Sequence, residues 1–258
     1  IIDGPQPQTP IQTPGWEGSN PGNPPGNGFP PYGPGWSSGG GGGGNIPPQN
    51  PTPCDKLKAQ NADPNFILKV TDLKSKTSNS SESGYRVGGA VAGSGQSGTQ
   101  YQQLSNYPGT NKIDFKIFNT TYGIMHSHYD GLVPIFSPDD INLFIQLLKN
   151  AKANNIALSE VFLSVVTSQG TYQLRGDGIN PDNLSMYTDD QIKNLDKEYL
   201  KTMGNANIST KDLQKEFLKF MKSNMNIDGA KMYVVDNEGN SEQLQLNGNE
   251  ITPIKCPK

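Results

Sequence analysis

The chain of 258 residues carries 21 Lys and Arg against 24 Asp and Glu, a net charge of −3, with no basic stripe, which argues against nucleic acid or an anionic membrane as the main partner. No apolar run approaches the length of a membrane span. Only part of the chain can bury a core, because 28 of residues 1–53 are Pro or Gly and only Asp3 and Glu17 among them are charged.

Residues 1–53 therefore read as a disordered Pro/Gly-rich linker. Both tryptophans, Trp16 and Trp36, fall in it within Pro-Gly-Trp triplets and read as part of a flexible tether with no activity assigned. The chain opens on Ile1 and passes directly into this tract, so an N-terminal part of a longer polypeptide is expected to precede it. Cys54 and Cys256 are the only cysteines and bracket the segment 54–258, where the folded domain is expected. A disulfide between them would suit an oxidising, extracytoplasmic compartment and free thiols the cytosol; the bridge is favoured, since closing so long a loop contributes on the order of 2–4 kcal/mol.

After Cys54 the pattern predicts one or two short helices through ADPNFILKVTDLKSK. GYRVGGAVAG at 84–93 and NKIDFKIF at 111–118 have the β-branched and aromatic content of strands, and TYGIMHSH follows as another. From Ser137 the period lengthens: Ile141, Phe144, Ile145, Leu148 and Ala151 mark the buried stripe of a helix running to about residue 154. SEVFLSVVTSQGTYQLRG predicts a strand, a tight turn at Ser168–Gly170 and a second strand. Two helices follow, one capped by Thr188 with Ile192, Leu195, Tyr199 and Met203 on its stripe, the other opening after Ser209. KMYVVDNEGNSEQLQLNG closes the chain as a hairpin, and the whole is an α/β (α+β) domain.

The chain has two histidines, and both stand in one strand as His126 and His128. Residues two apart on a strand point to the same face, so the two imidazoles project side by side and can hold Zn²⁺ at roughly 2.0–2.1 Å each, with room for a carboxylate and an open position. Ser137, Pro138, Asp139 and Asp140 form a helix start, with Ser as cap and Pro at the first position. Beside the histidines, Asp140 becomes a third ligand, with Asp139 as the fallback, and Ser137 a donor into the same site. Glu82 is the sole glutamate between Glu17 and His126.

The order His126-Ser127-His128, eight residues, then Ser137-x-x-Asp140 resembles the JAMM motif of the JAB/MPN-type zinc metallopeptidases. That family places seven residues before the Ser and often Pro after the second His, where this chain has eight and Tyr129; the extra residue falls in a loop, where insertion costs little. The resemblance covers under half of the chain. It implies a JAB/MPN-like, cytidine-deaminase-like three-layer sandwich with a mixed central sheet, its core over 80–175, and an extension of helices and a hairpin over 176–258. It implies Zn²⁺ on His126, His128 and Asp140, with Glu82 taking a proton from the metal-bound water and Ser137 stabilising the oxyanion. The implied reaction is hydrolysis of a peptide or isopeptide bond in a protein or peptide substrate, and the alternative is a non-catalytic binding or scaffold module of the same fold.

HSHYDG also resembles the opening of PHP and amidohydrolase-type barrels, but those sites draw further histidines from later strands and this chain has none. Gly93, Gly95 and Gly98 satisfy the spacing of a dinucleotide-binding turn, yet the polar TQYQQLSNYPG that follows cannot supply the required helix, so a hairpin turn is expected. GDGINPDN at 176–183 lacks the spacing and closing glutamate of a calcium loop and reads as a plain loop.

Overall fold

The structure is a computed structural model that describes residues 51–257 apart from 177 and 228. The linker reading of 1–53 lies outside these residues up to position 50, as does the Asp177 of the loop at 176–183. The last residues of that tract belong to the fold: Thr52 caps helix α1 (Pro53–Ala62), accepting from the Asp55 N–H while the Asp55 side chain returns a bond to the Thr52 backbone. Asp63 ends α1 and caps α2 (Pro64–Ser75), so two helices follow each other without a loop.

Among the described residues the fold is a mixed α/β structure with five α-helices and one eight-stranded sheet. The strands are β1 (Gly84–Gly89), β2 (Thr99–Gln103), β3 (Thr121–Ser127), β4 (Phe162–Thr167), β5 (Gly170–Arg175), β6 (Lys231–Val235), β7 (Ser241–Asn247) and β8 (Glu250–Lys255). Their order across the sheet is β2-β1-β3-β4-β5-β6-β7-β8. Only β3 and β4 run parallel. A parallel pair needs a crossover, and α3 (Pro138–Ala153) supplies it.

Alternation along the strands divides the core in two. Ile124 of β3, Leu163 and Val165 of β4, and Tyr172 and Leu174 of β5 pack with the α3 residues Ile141, Phe144 and Leu148 and with Phe217 and Met221 of α5 (Thr210–Ser223). Met125, Phe162 and Val166 on the opposite face pack with Phe66 and Leu73 of α2. Covered on both sides, β4 is buried at every position. Each fully buried Leu, Ile or Phe contributes about 1.5–3 kcal/mol, and this two-sided burial fixes the register of β3. Helix α4 (Asp189–Met203) lies against α3 and α5, with Thr188 as its cap.

Two expectations are corrected, and the hairpin turn at residues 93–98 is found as expected. Residues 111–118 form no strand; both sides of β1 are taken by β2 and β3, so Phe115 and Ile117 instead cover the α3 side of the core. The expected hairpin turn joins β1 to its antiparallel neighbour, with Gly93, Gly95 and Gly98 all at positive φ, and the polar segment TQYQQ that follows it is the edge strand β2. The C-terminal hairpin is no appendage, since β6, β7 and the further strand β8 continue the central sheet. Cys54 and Cys256 are disulfide-bonded with Cα atoms 5.3 Å apart, tying α1 to the end of β8. No helix among the described residues is long and apolar enough to cross a membrane.

Candidate metal centre

The pleat of β3 puts Ile124, His126 and His128 on the α3 face and Met125 and Ser127 on the other. His126 stands opposite Gly84 of β1 and Val165 of β4. A Cβ at Gly84 would lie 3.2 Å from the His126 Cβ and 2.9 Å from Ile113, so glycine there leaves room for the imidazole. His128 extends the ladder by one residue, its N–H donating to Val166 O at 2.9 Å. Both rings are buried, at 0% and 5% exposure. Phe115 packs edge-on against His126 with centroids 5.3 Å apart, and His128 Nδ1 sits 3.1 Å from Val133 O. Donation from Nδ1 to that carbonyl turns the Nε2 lone pair of His128 toward His126.

The two Nε2 atoms are 3.3 Å apart. Asp140, at the third position of α3, closes the group: its Oδ1 is 2.9 Å from His126 Nε2 and its Oδ2 3.3 Å from His128 Nε2. Oδ2 also accepts from the Ser137 N–H at 2.7 Å and the Ser137 hydroxyl at 2.8 Å, while the Asp140 N–H donates to Ser137 Oγ at 3.2 Å. One capping box therefore starts the helix and aims a carboxylate at both imidazoles.

Burial by itself would lower the His128 pKa, but the hydrogen bond and charge of Asp140, then the charge of Glu82 and the Val133 carbonyl, hold it above its ordinary value. Burial by itself would raise the Asp140 pKa, yet the adjacent imidazoles, His126 foremost, hold it well below the usual carboxylate range.

The donor set fits a small divalent cation. A tetrahedral ion with ligands at 2.0–2.1 Å separates them by about 3.3 Å; the two Nε2 atoms are 3.3 Å apart, and the contacts of 2.9 and 3.3 Å to Asp140 fall on its two different oxygens. Glu82 stands further out, its Oε1 4.0 Å from His128 Nε2. Glu82, His126 and His128 each offer a ligand atom within 4.8 Å of the others, so this group also can hold a metal ion. Asp140 makes the closer approach to both rings. His126 Nδ1 is buried without a hydrogen-bond partner among the described residues.

The Glu82 backbone is held on two sides: its N–H donates at 3.0 Å to the carbonyl of Asn111, in the segment misread as a strand, and its carbonyl accepts from Asn106 Nδ2 at 3.2 Å. Asp139, the fallback ligand, points elsewhere; it is exposed and pairs with Lys112 Nζ at 3.4 Å. Ser137 lines the site, but its hydroxyl proton goes to Asp140. A cleft of about 500 Å³ opens beside the group, bounded by Glu82, His128, Ser137, Asp139 and Asp140. The sequence reading missed Tyr107, Lys112, Asp196 and Tyr199, which also line it. Tyr199 reads from its spacing as an ordinary residue of the α4 stripe, and only the docking of α4 on α3 brings it to the cleft.

Comparisons with protein-family models, with curated proteins and with solved structures find no match.

Proposed function

We propose that this chain is a zinc-dependent hydrolase of a peptide or isopeptide bond, similar to the JAB/MPN-type metallopeptidases in its ligand order and in a three-layer arrangement of helices on both faces of a mixed sheet. The observation that carries the reading is the approach of His126 Nε2, His128 Nε2 and the Asp140 carboxylate to within 2.9–3.3 Å of one another beside a cleft that His128 and Asp140 line. In this reading those three residues hold the ion. Zinc bound there supplies Lewis-acid polarisation of the scissile carbonyl and lowers the pKa of a coordinated water to about 7.

In this reading Glu82 is the general base. It lies beside the metal position without competing for the closest contacts, and its side chain is only 15% exposed. It would take a proton from the attacking water and deliver it to the leaving nitrogen. Ser137 holds Asp140 in register through its N–H and hydroxyl, and its hydroxyl serves an oxyanion only after leaving Oδ2. In this reading the substrate, a protein or peptide, enters the cleft of about 500 Å³ beside these residues. The Cys54–Cys256 bridge supports an oxidising compartment outside the cytoplasm.

The test is the Glu82→Gln variant, loaded with zinc and assayed against a panel of peptide and isopeptide amides. The reading expects zinc retained and the rate lowered about 10²–10⁴-fold. Retained zinc with an unchanged rate removes Glu82 as the base. A zinc-loaded wild type that cleaves none of the amides favours a non-catalytic binding module.

A further inference from the structure

Part of the cleft's lining belongs to none of the motif's residues. It comes from α4, where Asp196 and Tyr199 lie one turn apart and both line the cavity. The Asp196 carboxylate makes no hydrogen bond and no close ion pair with any described residue. Burial, then the charges of Asp139 and Asp140, push its carboxyl above its ordinary value, with Lys112 acting in the opposite direction. Tyr199 is 3% exposed, and its hydroxyl is buried without a hydrogen-bond partner. An unsatisfied buried hydroxyl is costly in a folded protein, and Tyr199, which carries one, is among the residues that line the cleft, so a ligand that reaches this hydroxyl would relieve the cost.

The charge of the cleft defines the kind of ligand. Glu82, Asp139, Asp140 and Asp196 face a single ammonium, that of Lys112, leaving a formal −3 that a divalent ion reduces only to −1. Lys112 itself is held above its ordinary pKa: its burial acts against this, but the charges of Asp139, Asp196 and Glu82 prevail. The cleft therefore already favours an ammonium. A phenol oxygen and two carboxylates are acceptors for the three N–H donors of such a group.

Resting on the hydrolase reading, we propose that Asp196 and Tyr199, with Asp139 at the rim, form a subsite for a cationic group, so that the substrate carries an amine-bearing side chain next to the scissile amide. The Asp196 carboxylate supplies the charge-assisted contact, and the Tyr199 oxygen accepts a further N–H.

Two probes test it on the zinc-loaded protein: the hydroxamates of Nα-acetyl-lysine and of Nα-acetyl-norleucine, which share a metal-chelating head and differ in the ammonium. Calorimetric titration is expected to give at least ~tenfold tighter binding of the lysine probe by the wild type. Asp196→Asn brings the ratio of the two affinities close to one with zinc still bound, and Tyr199→Phe lowers the ratio several-fold. Tyr199→Phe also raises the ligand-free thermal midpoint by ~2–4 °C, since it removes an unsatisfied hydroxyl. Equal affinities in a zinc-loaded wild type, or a ratio unchanged by Asp196→Asn, overturn the subsite and leave the metal centre standing. A wild type that binds no zinc overturns both.

Discussion

Asp140→Ala separates a carboxylate that belongs to a metal centre from one that merely caps a helix. The substitution removes the acceptor of the Ser137 N–H at 2.7 Å and hydroxyl at 2.8 Å, a capping contribution of about 1 kcal/mol. It also strips His126 and His128 of the carboxylate at 2.9 and 3.3 Å in a site where all three residues are at most 5% exposed. Removing one partner of a buried ionic group costs about 3–5 kcal/mol, so the loss in the presence of EDTA is expected in that range, and a helix cap alone would lose only about 1 kcal/mol. Zinc at 1,000 times its dissociation constant stabilises a native site by about 4 kcal/mol, and Asp140→Ala should abolish most of that gain. Urea unfolding followed by far-ultraviolet circular dichroism, with EDTA and with zinc, reads both quantities. A loss near 1 kcal/mol in EDTA together with an undiminished zinc gain would refute the assignment of Asp140.

The same pair sets the pH dependence of the metal-free protein. The raised pKa of His128 gives stability fully present below about pH 6.5 and lost as pH rises through the raised value, while the depressed pKa of Asp140 gives stability present above about pH 3.9 and lost as pH falls through the depressed one. Unfolding midpoints in EDTA should therefore be highest between about pH 4 and 6.5 with respect to this pair, and a Asp140→Asn variant should flatten both flanks; unchanged flanks would remove the pair as their source. Reduction of Cys54–Cys256, which spans a sequence separation of 202, should lower stability by about 2–5 kcal/mol, a fall in thermal midpoint on the order of 10 °C. A midpoint indifferent to reductant would mean that the bridge is not formed in solution.

The helix caps and the histidine strand were legible because short-range chemistry sets them. Ser137, Thr188 and Ser209 each cap the helix their spacing announces, and the pleat alone brings His126 and His128 to one face. The approach of Asp140 to both rings has a local cause too, since the box that starts α3 turns its carboxylate back toward β3. Residues 111–118 misled because alternation reports burial on one side and says nothing of whether a neighbouring strand is free to pair; here it was not. The edge strands β2 and β8 are polar or carry Pro253 and have few buried side chains, so neither announced itself. Tyr199 and Asp196 were invisible as cleft residues because their role depends on where α4 docks, which no local pattern encodes.

The central claim is that His126, His128 and Asp140 hold one divalent ion, and metal content tests it most directly. Protein stripped with EDTA, reloaded with excess zinc and desalted should carry one zinc per chain by mass spectrometry, and His126→Ala, still folded by circular dichroism, should carry none. A wild type free of zinc after loading, or a His126→Ala protein that keeps it, would contradict the account.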